Sequence, residues 1–95
     1  MTHYWAWGGK YIGFRNGNYL YSKKGTPIGY FNNSEVYDFN GQYLCEVKEE
    51  RLIVKPGKSV VGGTMAKPCN MGGTAYADYA GYAMIAGYQD FIWDE

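Results

Sequence analysis

Between Trp5 and Val61, large and small residues return at intervals of sixteen positions. Glycines stand at 9, 25, 41 and 57, with Trp5, Tyr21, Tyr37 and Ile53 four positions before them and Ile12, Ile28, Leu44 and Val60 three positions after. The pairs Gly8-Gly9, Lys24-Gly25, Asn40-Gly41 and Pro56-Gly57 suit the tight turns that match the twist of flanking strands. A two-residue turn at Lys24-Gly25 sets Tyr21 against Ile28 and Leu20 against Gly29. Turns for the opposite strand ends come from Asn16-Gly17, and one and two periods later from Asn32-Asn33 and Lys48-Glu49. A turn at Asn16-Gly17 pairs Phe14 with Tyr19, Gly13 with Leu20, and Ile12 with Tyr21.

The pattern therefore predicts a mainly β chain, an antiparallel meander of eight short strands with apolar residues on both faces. One row holds Trp5, Ile12, Tyr21, Ile28, Tyr37, Leu44, Ile53 and Val60, and the other Tyr4, Gly13, Leu20, Gly29, Val36, Cys45, Leu52 and Val61. Left open, such a sheet would expose edges and apolar rows to water. An ordinary barrel needs tilted, staggered strands, and two-residue turns at both ends of every strand accumulate no stagger. The expectation is four hairpins set as petals around a pseudo-four-fold axis, with Trp5, Tyr21, Tyr37 and Ile53, or Ile12, Ile28, Leu44 and Val60, forming a buried ring. Glu46 is expected to oppose Arg51 as a weak surface ion pair. Gly9, Gly25 and Gly41 should have positive φ, and Pro56 should make the fourth turn differ from its sisters.

After Val61 the texture changes. Residues 62–74 are rich in turn-formers and read as a linker between a four-hairpin β domain, 1–61, and a C-terminal tail, 75–95. In the tail, Tyr76, Tyr79/Ala80, Ala83/Met84, Gly87/Tyr88 and Phe91 make a stripe at helical spacing, so the tail reads as helical. Its Thr74 cap is imperfect, because Ala77 stands where a capping box wants Glu or Gln. Gly81 and Gly87 each cost a helix interior about 1 kcal/mol, which points to close packing on another backbone. That backbone is first the chain's own sheet and second another subunit; a non-helical tail is the remaining alternative.

Segments such as NGNYLYSKKGTPIGYF and NSEVYDFNGQYLCEV resemble the repeats of the bacterial four-fold beta flower family, over about residues 4–61. Cys45 and Val61 replace the second glycine of that pattern in the last two copies, and its Asp is kept only as Asp38. The resemblance implies four hairpins and carries no established activity, so no catalytic residue transfers with it.

Composition narrows the function classes. Ninety-five residues make one small domain with zero formal net charge, against an electrostatic nucleic-acid binder. Eleven Tyr and three Trp suit short strands, and equally a surface that stacks on ligands. The N-terminus lacks the basic end and apolar run of a signal peptide, and no apolar stretch approaches the roughly 20 residues of a membrane span. A cytoplasmic location is the expectation. Cys45 falls at a small-residue position and is expected to be buried, while Cys69 carries no assignment. His3 reads as a solvated side chain and Glu49-Glu50 as a solvated turn. No catalytic set, metal cluster or phosphate loop is evident, so no enzyme, cofactor or metal is expected. Two classes remain. One is a structural or protein-interaction module, as a homo-oligomer or with another protein. The other binds a glycan or other polymer by stacking on Trp5, Trp7, Tyr11, Tyr19, Tyr30 and Tyr43.

Overall fold

The computed structural model describes residues 1–58 and 62–94. Seven strands run in chain order: β1 (Thr2–Ala6), β2 (Tyr11–Asn16), β3 (Tyr19–Ser22), β4 (Pro27–Asn32), β5 (Glu35–Tyr37), β6 (Tyr43–Lys48) and β7 (Arg51–Val54). Each pairs antiparallel with the next. In a meander, alternate strands run the same way, so the first and seventh are parallel. The sheet closes on that parallel pair, through Trp5 opposite Arg51 and Ala6 opposite Leu52. The Trp7 amide adds a hydrogen bond to the Leu52 carbonyl at 3.0 Å. The sheet is thus closed and barrel-like, although two-residue turns at both strand ends were expected to accumulate no stagger.

Turn chemistry explains the difference. At the glycine end the loops are three residues long, not two. Gly9, Gly25 and Gly41 donate to the carbonyls of Ala6, Ser22 and Asp38, whose own amides donate to Lys10, Thr26 and Gln42. The glycines have φ of 104°, 89° and 90°, positive as predicted, but Gly8, Lys24 and Asn40 before them do not. That is the three-residue hairpin in which a left-handed glycine forms a bulge. Register shifts follow at Tyr4/Trp5, Leu20/Tyr21 and Val36/Tyr37. Leu20 meets Gly29 as predicted, whereas Tyr21 meets Pro27 instead of Ile28. Bulges bend a strand and increase its twist, which an ideal meander of two-residue turns lacks.

At the other end each turn sits one residue later than the sequence suggested, on Gly17-Asn18, Asn33-Ser34 and Glu49-Glu50, so that Asn16 faces Tyr19, Asn32 faces Glu35 and Lys48 faces Arg51. Phe14 consequently pairs with Tyr21, and Gly13 with Ser22. The shift is two residues in register, which preserves the inward and outward faces. Glu46 opposes Ile53, not Arg51.

The core gathers Tyr4, Leu20, Val36 and Leu52, one from each sixteen-residue period, with Ala6, Ile12, Ile28, Phe31 and Cys45. Leu20, Val36 and Leu52 are fully buried. The inner ring therefore comes from the second predicted row. Trp5, Tyr21, Tyr37 and Ile53 are also buried, but they belong to the opposite face. Ile12 and Ile28 are buried and Leu44 is partly so; the expected role of Val60 lies outside the described residues. Both edges of Ile53 are taken, by Glu46 of β6 and by Asp90. The strand that completes the β7 edge is β8 (Gln89–Asp90), contributed by the tail.

Candidate functional site

The tail forms no helix among its described residues. It crosses the glycine turns in reverse chain order. Gly62 and Met65 donate to the carbonyls of Gly41 and Phe39, Met71 and Thr74 to those of Gly25 and Lys23, and Tyr79 and Tyr82 to those of Gly9 and Trp7. Each turn thus accepts two tail amides spaced three residues apart. A methyl group on Gly9, Gly25 or Gly41 would overlap the carbonyl oxygen of Tyr79, Met71 or Gly62. These glycines serve both the left-handed turn and the close approach of a second backbone. The tail amides that would have made helical bonds are spent on the barrel, and the three-residue contact spacing mimics a helical stripe in sequence.

The tail also supplies what buried tryptophans need, a partner for each indole N–H. Trp5 Nε1 donates to the Ala77 carbonyl and Trp7 Nε1 to that of Ala83, both at 2.9 Å. Asp78 accepts the Tyr11 amide at 2.8 Å and Asp90 accepts the Gly8 amide at 3.1 Å. Tyr11 lies against Thr74 through a 2.6 Å hydroxyl contact, and burial raises its pKa above the ordinary tyrosine value.

On top of this strap stand Tyr76, Tyr79 and Tyr82, half-exposed at 50%, 53% and 44%. Each is backed by a side chain of the barrel. Tyr76 rests on His3 with ring centroids 4.1 Å apart, Tyr79 stacks on Trp5 at 3.9 Å, and the Arg51 guanidinium lies 3.7 Å from the Tyr82 centroid. An extended chain spaces every third residue by roughly 10 Å. The result is a ladder of three rings with rigid backing.

Beside it a cleft of about 110 Å³ is lined by His3, Trp5, Glu49, Glu50, Arg51, Tyr79 and Tyr82. Arg51 is buried, and its Nη1 donates to the carbonyls of Ala80 at 2.7 Å and Trp7 at 3.3 Å. Backbone oxygens and the Tyr82 ring therefore hold its charge, with no carboxylate within 4.0 Å among the described residues. Glu49 and Glu50 have φ of 51° and 65°. Consecutive left-handed residues satisfy a type I′ turn, but side chains there cost about 1–2 kcal/mol per residue where Asn-Gly would cost little.

A polar cluster lies on the β5–β6 wall. Glu35 and Glu46 sit directly opposite, an arrangement of like charges that destabilises a sheet unless compensated. Lys58 bridges both, lying on Glu35 and 3.4 Å from Glu46. Tyr37 donates to Glu35 and Tyr43 to Glu46. The Lys58 bond, followed by that from Tyr37, lowers the Glu35 pKa, and the same pairing raises that of Lys58. Tyr37 is held neutral to higher pH first by its bond to Glu35, and Tyr43 first by burial.

Of the six aromatic residues singled out for stacking, Trp5, Trp7, Tyr11 and Tyr30 are buried, so they form no open platform. Tyr30 donates to the Gly63 carbonyl at 2.5 Å, under the tail. Tyr19 and Tyr43 are half-buried; Tyr19 packs 6.3 Å from Phe39, and Tyr43 lies under Lys58. His3 is not a solvated terminus but a link between Tyr11 and Tyr76. Cys45 is buried and its pKa raised by desolvation, while Cys69 is exposed. The tail tyrosines and Arg51 were not among the candidates. Tyr76, Tyr79 and Tyr82 at three-residue intervals are the available signal, of which the helical stripe takes in only Tyr76 and Tyr79.

Among the described residues no three His, Cys, Asp or Glu side chains gather as metal ligands. No helix there is long and apolar enough to cross a membrane. The fold defines a class: a closed meander of glycine-turn hairpins with a strapped-down tail. The family described as 4-fold beta flower protein matches residues 4–87, and the chain belongs to it. The match extends through most of the tail, past the hairpins that carried the resemblance. No curated protein and no solved structure matches the chain.

Proposed function

We propose that the protein is a non-enzymatic interaction module, in which the barrel is a frame and the strapped tail presents a contact face to a protein partner. The observation that carries this reading is the ladder of Tyr76, Tyr79 and Tyr82, each half-exposed yet backed by His3, Trp5 or Arg51. Backed rings lose little freedom on binding, and tyrosine offers a large apolar area with a polar tip. The partner is a second copy of the chain or another protein, in a cytoplasmic setting. The four-fold disposition of hairpins belongs to the same reading, supported by three glycine turns with matching hydrogen bonds. Light scattering on the full chain, beside a Tyr76→Ala/Tyr82→Ala variant, tests it. An oligomeric parent and a folded monomeric variant support self-association. For a monomeric parent, the same pair is compared for capture of a defined partner. A variant that keeps every association of the parent overturns the ladder's role.

A second reading, stacking on a glycan or other polymer, draws on the same three exposed rings, which recur at three-residue intervals. Tryptophan fluorescence with soluble glycans separates the two, since Trp5 lies directly beneath Tyr79.

A further inference from the structure

The cleft next to the ladder combines features that select one kind of ligand. Glu49 and Glu50 line it, and neither carboxylate has a cationic partner within 4.0 Å among the described residues. Its wall is aromatic, formed by Trp5, Tyr79 and Tyr82. Its single guanidinium, Arg51, already lies on the Tyr82 ring and on two carbonyl oxygens. With two carboxylates against one guanidinium, the remaining charge of the lining favours a cation. Aromatic walls beside carboxylates are also surroundings that hold an ammonium on an apolar stem, with its methylenes against the rings and its charge at the carboxylates. A volume of about 110 Å³ holds three or four waters at roughly 30 Å³ each. It takes a narrow side chain and excludes a folded element.

The turn itself fits this role. Glu49 and Glu50, which line the cleft, both hold left-handed backbone, where Asn-Gly would suit the turn but remove both charges.

We propose that this cleft receives a lysine-type ammonium from a protein partner, with Glu49 and Glu50 as its counter-charges and Trp5, Tyr79 and Tyr82 as its walls. The inference rests on the interaction-module reading and gives the ladder a neighbouring specificity pocket.

The test uses n-butylammonium as the probe, with butyrate as the anionic control, titrated into the full chain at low ionic strength. Tryptophan fluorescence and, specifically, the chemical shift of the Trp5 indole N–H report binding. The expected result is saturable binding of butylammonium in the millimolar range, typical of so small a contact, and none of butyrate. Glu49→Gln/Glu50→Gln should weaken it about tenfold or more while leaving the melting temperature unchanged or higher. Tyr76→Ala should leave it intact, because Tyr76 does not line the cleft. Equal binding of butyrate, no saturable shift, or affinity unchanged in the double variant each overturns the proposal. Partner association lost in Tyr76→Ala with ammonium binding retained separates failure of the cleft from failure of the ladder.

Discussion

Positive φ occurs in the turns at both ends of the barrel, but for different reasons. At one end Gly9, Gly25 and Gly41 are buried, and a second backbone lies where their side chains would be. At the other, Gly17 has φ of 62° with nothing within 4 Å of where a Cβ would stand, and Asn33, Glu49 and Glu50 adopt the same region as side-chain-bearing residues. A glycine at the first end is required twice, by conformation and by space. At the second end the requirement is conformational alone, and the chain tolerates breaking it. Left-handed backbone is a cost of order 1–2 kcal/mol, whereas a blocked backbone contact moves a whole segment.

The strongest way to break this comparison is to remove what the glycine end accommodates. Deleting residues 75–95 strips Phe91 from the core, removes β8, and leaves the Trp5 and Trp7 indoles without acceptors. At roughly 1.5–3 kcal/mol per large apolar side chain exposed, the loss approaches the whole stability of a small domain. The truncated chain should lose its near-ultraviolet circular dichroism and aggregate. A soluble product melting like the parent would refute the strap.

Next come single methyl groups. Gly25→Ala combines left-handed strain with displacement of Met71, and should cost roughly 2–5 kcal/mol in urea unfolding. Gly17→Ala carries strain alone and should cost about 1–2 kcal/mol. Equal costs would mean that the tail does not bear on Gly25.

A change of opposite sign is expected at the other end. Glu49→Asn with Glu50→Gly gives the turn its preferred residues and should raise stability by about 1–2 kcal/mol, seen as an upward shift in melting temperature. A drop would show that the carboxylates support the fold.

The smallest effect concerns the Lys58 bridge. Lys58→Met leaves Glu35 and Glu46 facing each other, and its exposure limits the loss to about 1 kcal/mol or less. The sign with pH follows from the shifts. The Glu35 pKa is lowered from 4.5, so its contribution is present above about 4.5 and is lost as pH falls through the folded value. The Lys58 pKa is raised from 10.5, so that contribution is present below about 10.5 and is lost as pH rises through the higher folded value. The parent's stability advantage over Lys58→Met should therefore shrink at either extreme. A difference constant with pH would assign the effect to packing.

Much of the barrel was legible in the sequence because its glycines mark where the chain must turn. Leu20 opposite Gly29 followed from Lys24-Gly25, and the alternation about it grouped Tyr4, Leu20, Val36 and Leu52 in one row, although the buried ring was expected from the other. What stayed hidden was the extra residue in each glycine turn. Type I′ and bulged turns both want a left-handed glycine, and only the residue before it, negative in φ here, separates them. The mode of closure followed from that single residue. The tail reads as a helix because Tyr76, Tyr79/Ala80 and Ala83/Met84 fit a helix face, while paired contacts three residues apart, such as Tyr79 and Tyr82, fit a strap equally well. The exposed rings were hidden with it: Trp5, Trp7 and Tyr11 lie against Tyr79, Tyr82 and Tyr76, and the open rings belong to the segment laid over them.

The reverse order in which the tail meets its turns gives the molecule a timetable. Gly62 reaches Gly41 by closing a short loop, Met71 reaches Gly25 by closing a longer one, and Tyr79 reaches Gly9 by closing one longer still. Asp90 finally meets Gly8, 82 positions away in sequence. Loop entropy grows with length, and contacts distant in sequence form late. The clasp should fasten from the Gly41 turn outward, and the barrel seam should be sealed by residues made after all the hairpins they cover. Pulsed hydrogen exchange during refolding should protect the Gly62 amide before that of Met71, and Met71 before Tyr79. Simultaneous protection would mean that the strap docks as one unit. Until that last stretch has emerged, a nascent chain holds its hairpins with Trp5 and Trp7 uncovered.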